Sequence, residues 1–215
     1  MKIYAVILLI ISAGFWITGC KEKDEIPPIL TLNGSDSLNH VLNSAYTDPG
    51  ATAMDETDGN ITSSIYTNNG VNKDKVGEYT VTYRVVDEAG NEAKSLTRWV
   101  KVYNQGQSYS GIYNVSETQV FPGNVSCEYT IQVVADSVIN YGLVFSNFMC
   151  NLNRPIFTQV IDTIIVIPLQ LIADTGGTIG IQGYGMISDT LIQLNFTKTE
   201  DNVFEAWNAI IKRQK

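Results

Sequence analysis

Apolar and polar residues alternate with a period of two over much of the chain. In residues 76–86 this places Tyr79, Val81, Tyr83 and Val85 on one face, as expected for a strand with one buried side. Asn-Gly and Asp-Pro-Gly sequences between the apolar runs favour tight turns. The pattern predicts strands at 29–32, 61–66, 76–86 and 96–103, with polar loops at 33–44 and 46–51. Short strands at this spacing are typical of a β-sandwich, which we place at residues 29–104.

The second half of the chain is predicted to be one strand after another. These strands fall at 110–117, 126–135, 141–148, 156–160, 163–172, 178–187, 191–199 and 203–212. Their short connections favour an antiparallel meander that closes into a barrel and leaves no free edge. Pro168 lies inside one run and must occupy a bulge or an edge. The prediction is therefore an all-β chain: a sandwich, a linker at 105–108 and a barrel-like domain at 109–215, with a second open sandwich as the alternative to the barrel.

The first 20 residues have the pattern of a bacterial export signal. Lys2 precedes an uncharged apolar run at 3–16, and residues 1–19 resemble a signal peptide. Ile17-Thr18-Gly19-Cys20 resembles the lipobox of bacterial lipoproteins. The resemblance implies cleavage before Cys20, a diacylglyceryl group on its sulfur and an acylated (palmitate-type) amine. An unlipidated secretory signal and a retained transmembrane anchor are the alternatives.

Residues 20–28 would then form a lipidated tether that ends in two prolines. Lys21 is followed by acidic residues, which resembles the signal that sends Bacteroidetes lipoproteins to the outer face of the outer membrane. The resemblance implies a membrane contact through the lipid anchor and display at the cell surface. A plain solvated linker is the alternative.

The charge balance narrows the classes of partner. The chain carries 14 Lys and Arg against 22 Asp and Glu, a formal net charge of −8. Nucleic acids and anionic lipid headgroups both require a basic surface. We therefore expect no nucleic-acid partner, although acidity alone does not identify a basic one.

Two cysteines remain if Cys20 carries lipid. Cys127 lies on the apolar face of the strand at 126–135, and a turn near Val138 would place it opposite Cys150. An even pair in an oxidising compartment favours a disulfide. Two buried free thiols are the alternative.

The first predicted domain has long, ordered motifs that resemble a known family. The motifs are Tyr46-Thr47-Asp48-Pro49-Gly50-Ala51-Thr52-Ala53, Asp58-Gly59-Asn60-Ile61-Thr62, Val76-Gly77-Glu78-Tyr79-Thr80-Val81-Thr82-Tyr83 and Val86-Asp87-Glu88-Ala89-Gly90-Asn91. Together they resemble the bacterial immunoglobulin-like domain of unknown function, of the DUF5011 type. Such domains serve as accessory and spacer modules, so the resemblance implies a fold more than an activity.

The second predicted domain has a weaker resemblance. Its order of Gly111-Ile112-Tyr113, a hairpin, Ile167-Pro168 and then the glycine-rich stretch 180–185 is similar to lipocalin-like C-terminal domains of Bacteroidetes surface lipoproteins. A barrel of about eight strands can hold one small ligand or be filled by side chains. The many apolar residues at 164–172 favour filling.

Catalytic motifs are missing from the sequence. His40 is the only histidine, and nothing near it has the form of a nucleophile elbow. The acidic residues fall mainly in turns and in the tether, and no phosphate-binding or zinc motif occurs. We predict that the chain is not an enzyme and has no cofactor.

Calcium is a further candidate ligand. Asp55, Asp58, Asn60 and Asp87 are oxygen donors in predicted loops of the sandwich, and hard cations need several such oxygens together. Turn chemistry is the alternative, because Asp and Asn commonly accept hydrogen bonds from their own backbone.

Aromatic side chains could bind a sugar. Alternation places Trp99 on the face opposite Val100 and Val102, so it could stack on a sugar ring, cover the domain junction or simply be exposed. Tyr184 and Trp207 are predicted to belong to the barrel wall.

Two functional hypotheses result from the sequence. The first is a non-enzymatic, lipid-anchored outer-membrane protein that serves as a spacer and contacts a protein partner. It predicts a filled barrel and an exposed apolar patch. The alternative is a glycan- or small-ligand-binding accessory of an outer-membrane uptake system, and it predicts a cleft with at least two coplanar aromatic rings.

Overall fold

A computed structural model describes residues 23–123, 125–150, 152, 154–174 and 177–215. Cys20 and the predicted signal peptide at 1–19 lie outside these residues. The described chain forms fifteen strands in two units, and the predicted all-β fold is confirmed. Among these residues, no helix has the length and apolar character needed to cross a membrane.

The first unit is a sandwich of two sheets. One sheet has the strand order β1-β3-β4, and the other has the order β2-β7-β6-β5, in which β2 is parallel to β7. The strands are β1 (Ile29–Leu32), β2 (Ser37–Val41), β3 (Ala51–Asp55), β4 (Gly59–Asn60), β5 (Tyr66–Asn69), β6 (Gly77–Arg84) and β7 (Leu96–Tyr103). Val81, Tyr83 and Val100 alternate with exposed positions and form the core between the sheets.

Two details of this unit differ from the sequence prediction. The polar stretch predicted as a loop contains β2, whose parallel pairing with β7 does not require an apolar face. The run predicted as a strand at 61–66 is wrong in part: Thr62–Ser64 form a 3₁₀ helix, and the strand begins at Tyr66. Thr62 Oγ1 accepts a hydrogen bond from Ala53 N at 3.0 Å, which holds this segment against β3.

The second unit is a closed barrel of eight antiparallel strands. Its order is β10-β11-β12-β13-β14-β15-β8-β9, so the predicted meander and its closure are confirmed. The strands are β8 (Gly111–Phe121), β9 (Ser126–Ala135), β10 (Gly142–Phe148), β11 (Arg154–Ile161), β12 (Ile164–Asp174), β13 (Gly177–Ile187), β14 (Leu191–Glu200) and β15 (Val203–Arg213). The register between β12 and β13 shifts between Ile167 and Gln170, so Pro168 lies in a bulge as predicted.

Apolar side chains from all eight strands fill the barrel. Phe145, Phe148, Ile156 and Ile165 are fully buried at its centre, and Phe196 stacks on Trp207 with ring centroids 6.3 Å apart. An eight-stranded barrel is just wide enough for side chains to fill. Trp207, which was predicted to belong to the barrel wall, therefore has its side chain in the barrel core.

Candidate functional site

Outward-facing side chains of neighbouring barrel strands form rows across the wall. In one row, Tyr184 of β13 is paired with Asn195 of β14, and Asn195 is paired with Asn208 of β15. In the next row, Gln182 is paired with Thr197. Because alternate residues of a strand share a face, these polar side chains form one continuous surface.

This surface is the floor of a groove of about 600 Å³ on the outside of the barrel. Tyr184, Leu169 and Val120 line the groove together with the polar floor residues. Tyr184 is 67% exposed, so its ring is available to a ligand or a partner. The groove combines an aromatic ring, aliphatic walls and amide groups.

Two glycines of β13 allow the strand to approach β14 closely beside the groove. A Cβ atom at Gly185 would lie 1.8 Å from the carbonyl oxygen of Gln193, and one at Gly183 would lie 2.5 Å from Cβ of Phe196. Both positions are therefore restricted to glycine. Tyr184 lies between them, on the outer face of the wall.

Exposed apolar side chains surround the groove in the half of the barrel that is distant from the sandwich. β8 begins at Gly111 beside the sandwich and reaches the distant end at Phe121. We call these side chains the distal apolar surface. They are 49–71% exposed and comprise Val120, Phe121, Leu169, Leu171, Tyr184, Val203 and Phe204. Phe121 packs on Phe204 with ring centroids 6.4 Å apart, and Leu169 and Leu171 both line a second depression beside the groove.

The distal end of the barrel interior contains a buried carboxyl group. Glu117 is fully buried on β8, and the Tyr129 hydroxyl donates a hydrogen bond to it. Burial raises the pKa of Glu117, and hydrogen bonds from Tyr129 and from the backbone of Cys150 and Met149 only partly offset that rise. The pKa of Tyr129 is raised as well, by burial and by the neighbouring carboxylate.

A disulfide lies beside this carboxyl group. The structure joins Cys127 to Cys150, whose Cα atoms are 6.1 Å apart. Backbone pairing between β9 and β10 extends only from Leu143–Ala135 to Phe145–Val133. The disulfide therefore links β9 to the residues just after β10, beyond the end of the backbone pairing. Whether the purified protein contains this bond stays a prediction.

A buried asparagine connects the two units. Asn104 is 2% exposed, and its Nδ2 donates to the carbonyls of Asp136 and Ile139, each at 2.8 Å. Its Oδ1 accepts from Gly106 N at 2.7 Å and Tyr141 N at 2.8 Å. These bonds attach the segment that follows β7 to the loop between β9 and β10.

The sandwich contributes further bonds to the same loop. The Asn43 side chain accepts from Asn140 N at 2.9 Å, and Val76 N donates to Ser137 O at 2.8 Å. The segment predicted as a polar linker forms a 3₁₀ helix, Gln105–Tyr109. The junction is therefore built from specific hydrogen bonds on both sides.

The predicted calcium ligands do not all meet. Asp58 Oδ2 accepts from Glu88 N at 2.8 Å, which joins two separate loops, and Asn60 Oδ1 accepts from Thr62 N at 3.0 Å, which is local turn chemistry. Asp55 and Asp87 do lie together, with Asp24 of the tether as the third member of the cluster. Asp24 was not among the predicted ligands, because it lies before the first strand in a run of charged residues that has no local sign of a metal site.

The remaining candidates are separate from these sites. Trp99 is 58% exposed on the outer face of β7. His40 Nε2 lies 3.2 Å from Ser44 Oγ, but that hydroxyl donates to Val41 O at 2.7 Å. Within the described residues, no carboxylate hydrogen-bonds the histidine ring. The pair therefore lacks the third group that would orient a catalytic base.

The chain is similar to one family model and to several solved structures. A family model described as "Bacterial surface protein, Ig-like domain" matches residues 30–102. No curated protein matches the chain. A lipoprotein from Bacteroides thetaiotaomicron is 19% identical with a TM-score of 0.39, covering 86% of this chain and 100% of its own.

Two further solved structures are similar at the same low level. A candidate outer membrane protein from Bacteroides fragilis is 14% identical with a TM-score of 0.34, covering 87% of this chain and 94% of its own. The second CBM51 domain with the INT domains of Clostridium perfringens ZmpB, in complex with GlcNAc, is 15% identical with a TM-score of 0.30, covering 87% of this chain and 44% of its own. These likenesses carry no functional argument. The family match confirms that residues 30–102 are similar to the immunoglobulin-like domains of bacterial surface proteins, while the DUF5011-type and lipocalin-like resemblances stay predictions.

Proposed function

We propose that this is a non-enzymatic, lipid-anchored cell-surface protein that presents its barrel to a protein partner. The distal apolar surface is the observation that carries the proposal. Contiguous exposed apolar patches of this kind mark interaction sites in soluble domains. The barrel interior is packed with side chains, so a partner is expected on the outer wall.

The hydrogen-bonded junction supports a spacer role for the immunoglobulin-like domain. Asn104, Asn43 and Val76 connect it to one barrel loop. The distal apolar surface lies at the opposite end of the barrel from this loop. If the chain is anchored before residue 23, the junction keeps that surface away from the membrane.

The lipid anchor is proposed from the sequence around Cys20. Stable attachment to a bilayer requires more than one acyl chain, which a fully acylated lipoprotein cysteine provides. We expect Cys20→Ala to move the protein from the membrane fraction to the soluble fraction. A variant that stays in the membrane fraction would contradict the anchor.

A glycan is the second candidate ligand, and the groove favours it. Tyr184 could stack on a sugar ring while the amides of Gln182, Asn195 and Asn208 hydrogen-bond its hydroxyls. Trp99 offers a separate exposed ring on the sandwich. We place this function second, because Tyr184 is the one aromatic side chain on the outer surface of the groove within the described residues.

Binding to purified outer membranes would test the interaction role. We expect Val120→Glu and Leu169→Glu, both at exposed positions, to weaken retention of the chain from residue 21 onward by tenfold or more, since a buried charge in an apolar contact costs about 2 kcal/mol or more. Ile112→Glu is the matched control, since Ile112 is 54% exposed near the other end of β8. Equal retention of all three variants would rule out the distal apolar surface as the contact.

A polysaccharide array with the same chain would test the second candidate. Binding that is lost in Tyr184→Ala would place a glycan in the groove, and binding that is lost in Trp99→Ala would place it on the sandwich. If no polysaccharide binds, the interaction with a protein partner is the one candidate function that remains of these two.

A further inference from the structure

Three carboxylates meet at the end of the sandwich where the tether enters. Asp55 ends β3, Asp87 lies in the turn after β6, and Asp24 belongs to the tether. One oxygen from each lies within 4.8 Å of the others. Asp55 is 7% exposed and Asp87 is 8% exposed, so the cluster is mostly removed from solvent.

Two carboxylate oxygens of the cluster are buried without a hydrogen-bond partner. They are Asp55 Oδ2 and Asp24 Oδ2, considered among the described residues. The second oxygen of each group is fixed by the backbone: Asp55 Oδ1 accepts from Thr57 N at 2.8 Å and Asp58 N at 2.9 Å, and Asp24 Oδ1 accepts from Ile26 N at 3.0 Å. These bonds hold both carboxylates in place while the partnerless oxygens remain available.

Among the described residues, no Lys or Arg forms an ion pair with the cluster. The ion pairs of the described residues join Lys23 to Glu25, Lys73 to Asp74, Arg98 to Asp48 and Lys198 to Glu200. Asp87 accepts hydrogen bonds from Asn91 N at 2.7 Å and from Asn91 Nδ2 at 2.8 Å, and both donors are uncharged. Carboxylates that share a buried site without a counter-ion repel one another.

We propose that a calcium ion binds between Asp24, Asp55 and Asp87. The site offers only oxygen ligands, which hard divalent cations prefer, and it has no imidazole or thiolate to select a softer metal. The two buried, partnerless oxygens provide the first coordination contacts. Waters and the remaining carboxylate oxygens complete the six to eight ligands that calcium takes.

The site would connect the tether to the sandwich. Asn91 already joins them, since its Nδ2 donates to Asp24 O at 3.2 Å and to Asp87 Oδ2 at 2.8 Å. A bound ion would add a bridge from Asp24 to β3 and to the turn after β6. Calcium would thereby fix the direction in which the first domain leaves its tether.

Calorimetric titration of the chain from residue 21 onward, after removal of metals with EDTA, tests the proposal. We expect one calcium ion per chain. Calcium at about 100 times its dissociation constant should raise the Tm of the first domain by on the order of 10 °C. Asp55→Asn keeps the acceptor for Thr57 and Asp58 but removes the charge, and should weaken calcium binding at least about tenfold. Glu56→Gln is the matched control, because it removes a neighbouring exposed charge and should bind calcium as the wild type does.

A second variant separates ligand loss from misfolding. Asp24 lies in the tether before the first strand, so Asp24→Asn leaves the sandwich folded and should still weaken calcium binding. In EDTA, Asp55→Asn should be at least as stable as the wild type, because a like charge has been removed. No calcium binding by the wild type, magnesium binding of equal strength, or unchanged affinity in both variants would overturn the proposal.

Discussion

The immunoglobulin-like domain buries an arginine that pairs with a carboxylate, whereas the barrel buries a carboxyl group that forms no ion pair with any described residue. Arg98 is fully buried, and its Nη1 lies 2.6 Å from Asp48 Oδ1. Glu117 is equally buried but is held by a tyrosine and backbone N–H groups. The core of the sandwich therefore depends on an ion pair, whereas the core of the barrel holds its carboxyl group with uncharged hydrogen-bond donors.

The arginine organises the loops of its domain. Its guanidinium donates to Asn33 O at 2.7 Å and Ser35 O at 2.9 Å, and its Nη1 donates to the Tyr83 hydroxyl at 2.8 Å. Burial would raise the pKa of Asp48, but hydrogen bonds from Tyr83, Gly50 N, Arg98 and Tyr46 outweigh it and lower that pKa. The small sandwich thus uses one buried cation to hold several irregular segments that its few apolar residues do not fix.

Replacing the buried cation should have the largest effect. Arg98→Met leaves Asp48 without its counter-charge and should reduce the free energy of unfolding by about 3–5 kcal/mol. Urea unfolding followed by the resonances of the sandwich would measure it. Lys101→Met on the same strand, where the side chain is exposed, should change it by less than about 0.5 kcal/mol. Similar losses in both variants would contradict a special role for the buried pair.

Removing the disulfide should have the next largest effect, and it should be confined to the barrel. Cys127 and Cys150 are separated by 23 residues, and closing a loop of that length stabilises a fold by about 3 kcal/mol. We expect this loss in the Cys127→Ala/Cys150→Ala variant. In the chain from residue 21 onward, which lacks Trp16, Trp207 fluorescence in a Trp99→Phe background would report on the barrel alone. Mass spectrometry of the non-reduced protein should show the two cysteines linked, and two alkylatable thiols would exclude the bond.

Breaking the junction should have a smaller effect and should make the two domains behave more independently. Asn104→Ala leaves the N–H groups of Gly106 and Tyr141 without their acceptor, which costs about 1–3 kcal/mol. Calorimetry should show the melting transitions of the two domains moving further apart. Asn68→Ala, at an exposed position of β5, is the control. Unchanged transitions in Asn104→Ala would mean that the domains do not stabilise each other through this residue.

The barrel could be predicted from the sequence more completely than the sandwich. Its strands alternate regularly and follow one another through short turns, so local pattern and global topology agree. The strand predicted at 126–135 matches β9 in the structure. In the sandwich, β2 has a polar sequence and pairs with a strand about 60 residues away, and no local pattern indicates such a contact.

The buried polar residues Arg98 and Asn104 were not predicted either, because their hydrogen-bond partners are also distant in the sequence. Arg98 occupies an inward position of β7 between apolar neighbours, but its partners lie far away in sequence at Asn33, Ser35 and Asp48. Asn104 was placed only as the last residue of the predicted sandwich, and its partners Asp136 and Ile139 lie more than 30 residues away. Exposed positions were easier: alternation correctly placed Trp99 outward, whereas Tyr184, assigned to the wall, is exposed on its outer face.

The smallest effect sharpens the contrast between the two cores, and it concerns pH. The pKa of Glu117 is raised above its value in the unfolded chain, so the folded barrel binds the proton of this carboxyl group more tightly than the unfolded chain does. Protonated Glu117 therefore stabilises the barrel in acid, and this contribution is lost as the pH rises through the folded pKa. Asp48 has a lowered pKa, so its contribution is present above the unfolded pKa and is lost as the pH falls through the folded pKa.

Glu117→Gln should therefore flatten the pH dependence of barrel stability without unfolding the domain. Glutamine keeps an acceptor for the Met149 and Cys150 N–H groups but does not titrate. Relative to this variant, the wild-type barrel should be most stable below the pKa of an unfolded glutamate and should lose that advantage as the pH rises through the raised folded pKa of Glu117. Urea unfolding monitored by Trp207 at several pH values measures the difference, with Glu128→Gln on the exposed face of β9 as the matched control. A wild-type advantage that grows with pH would show that Glu117 is stabilised as the carboxylate, and the barrel would then resemble the sandwich in depending on a buried charge.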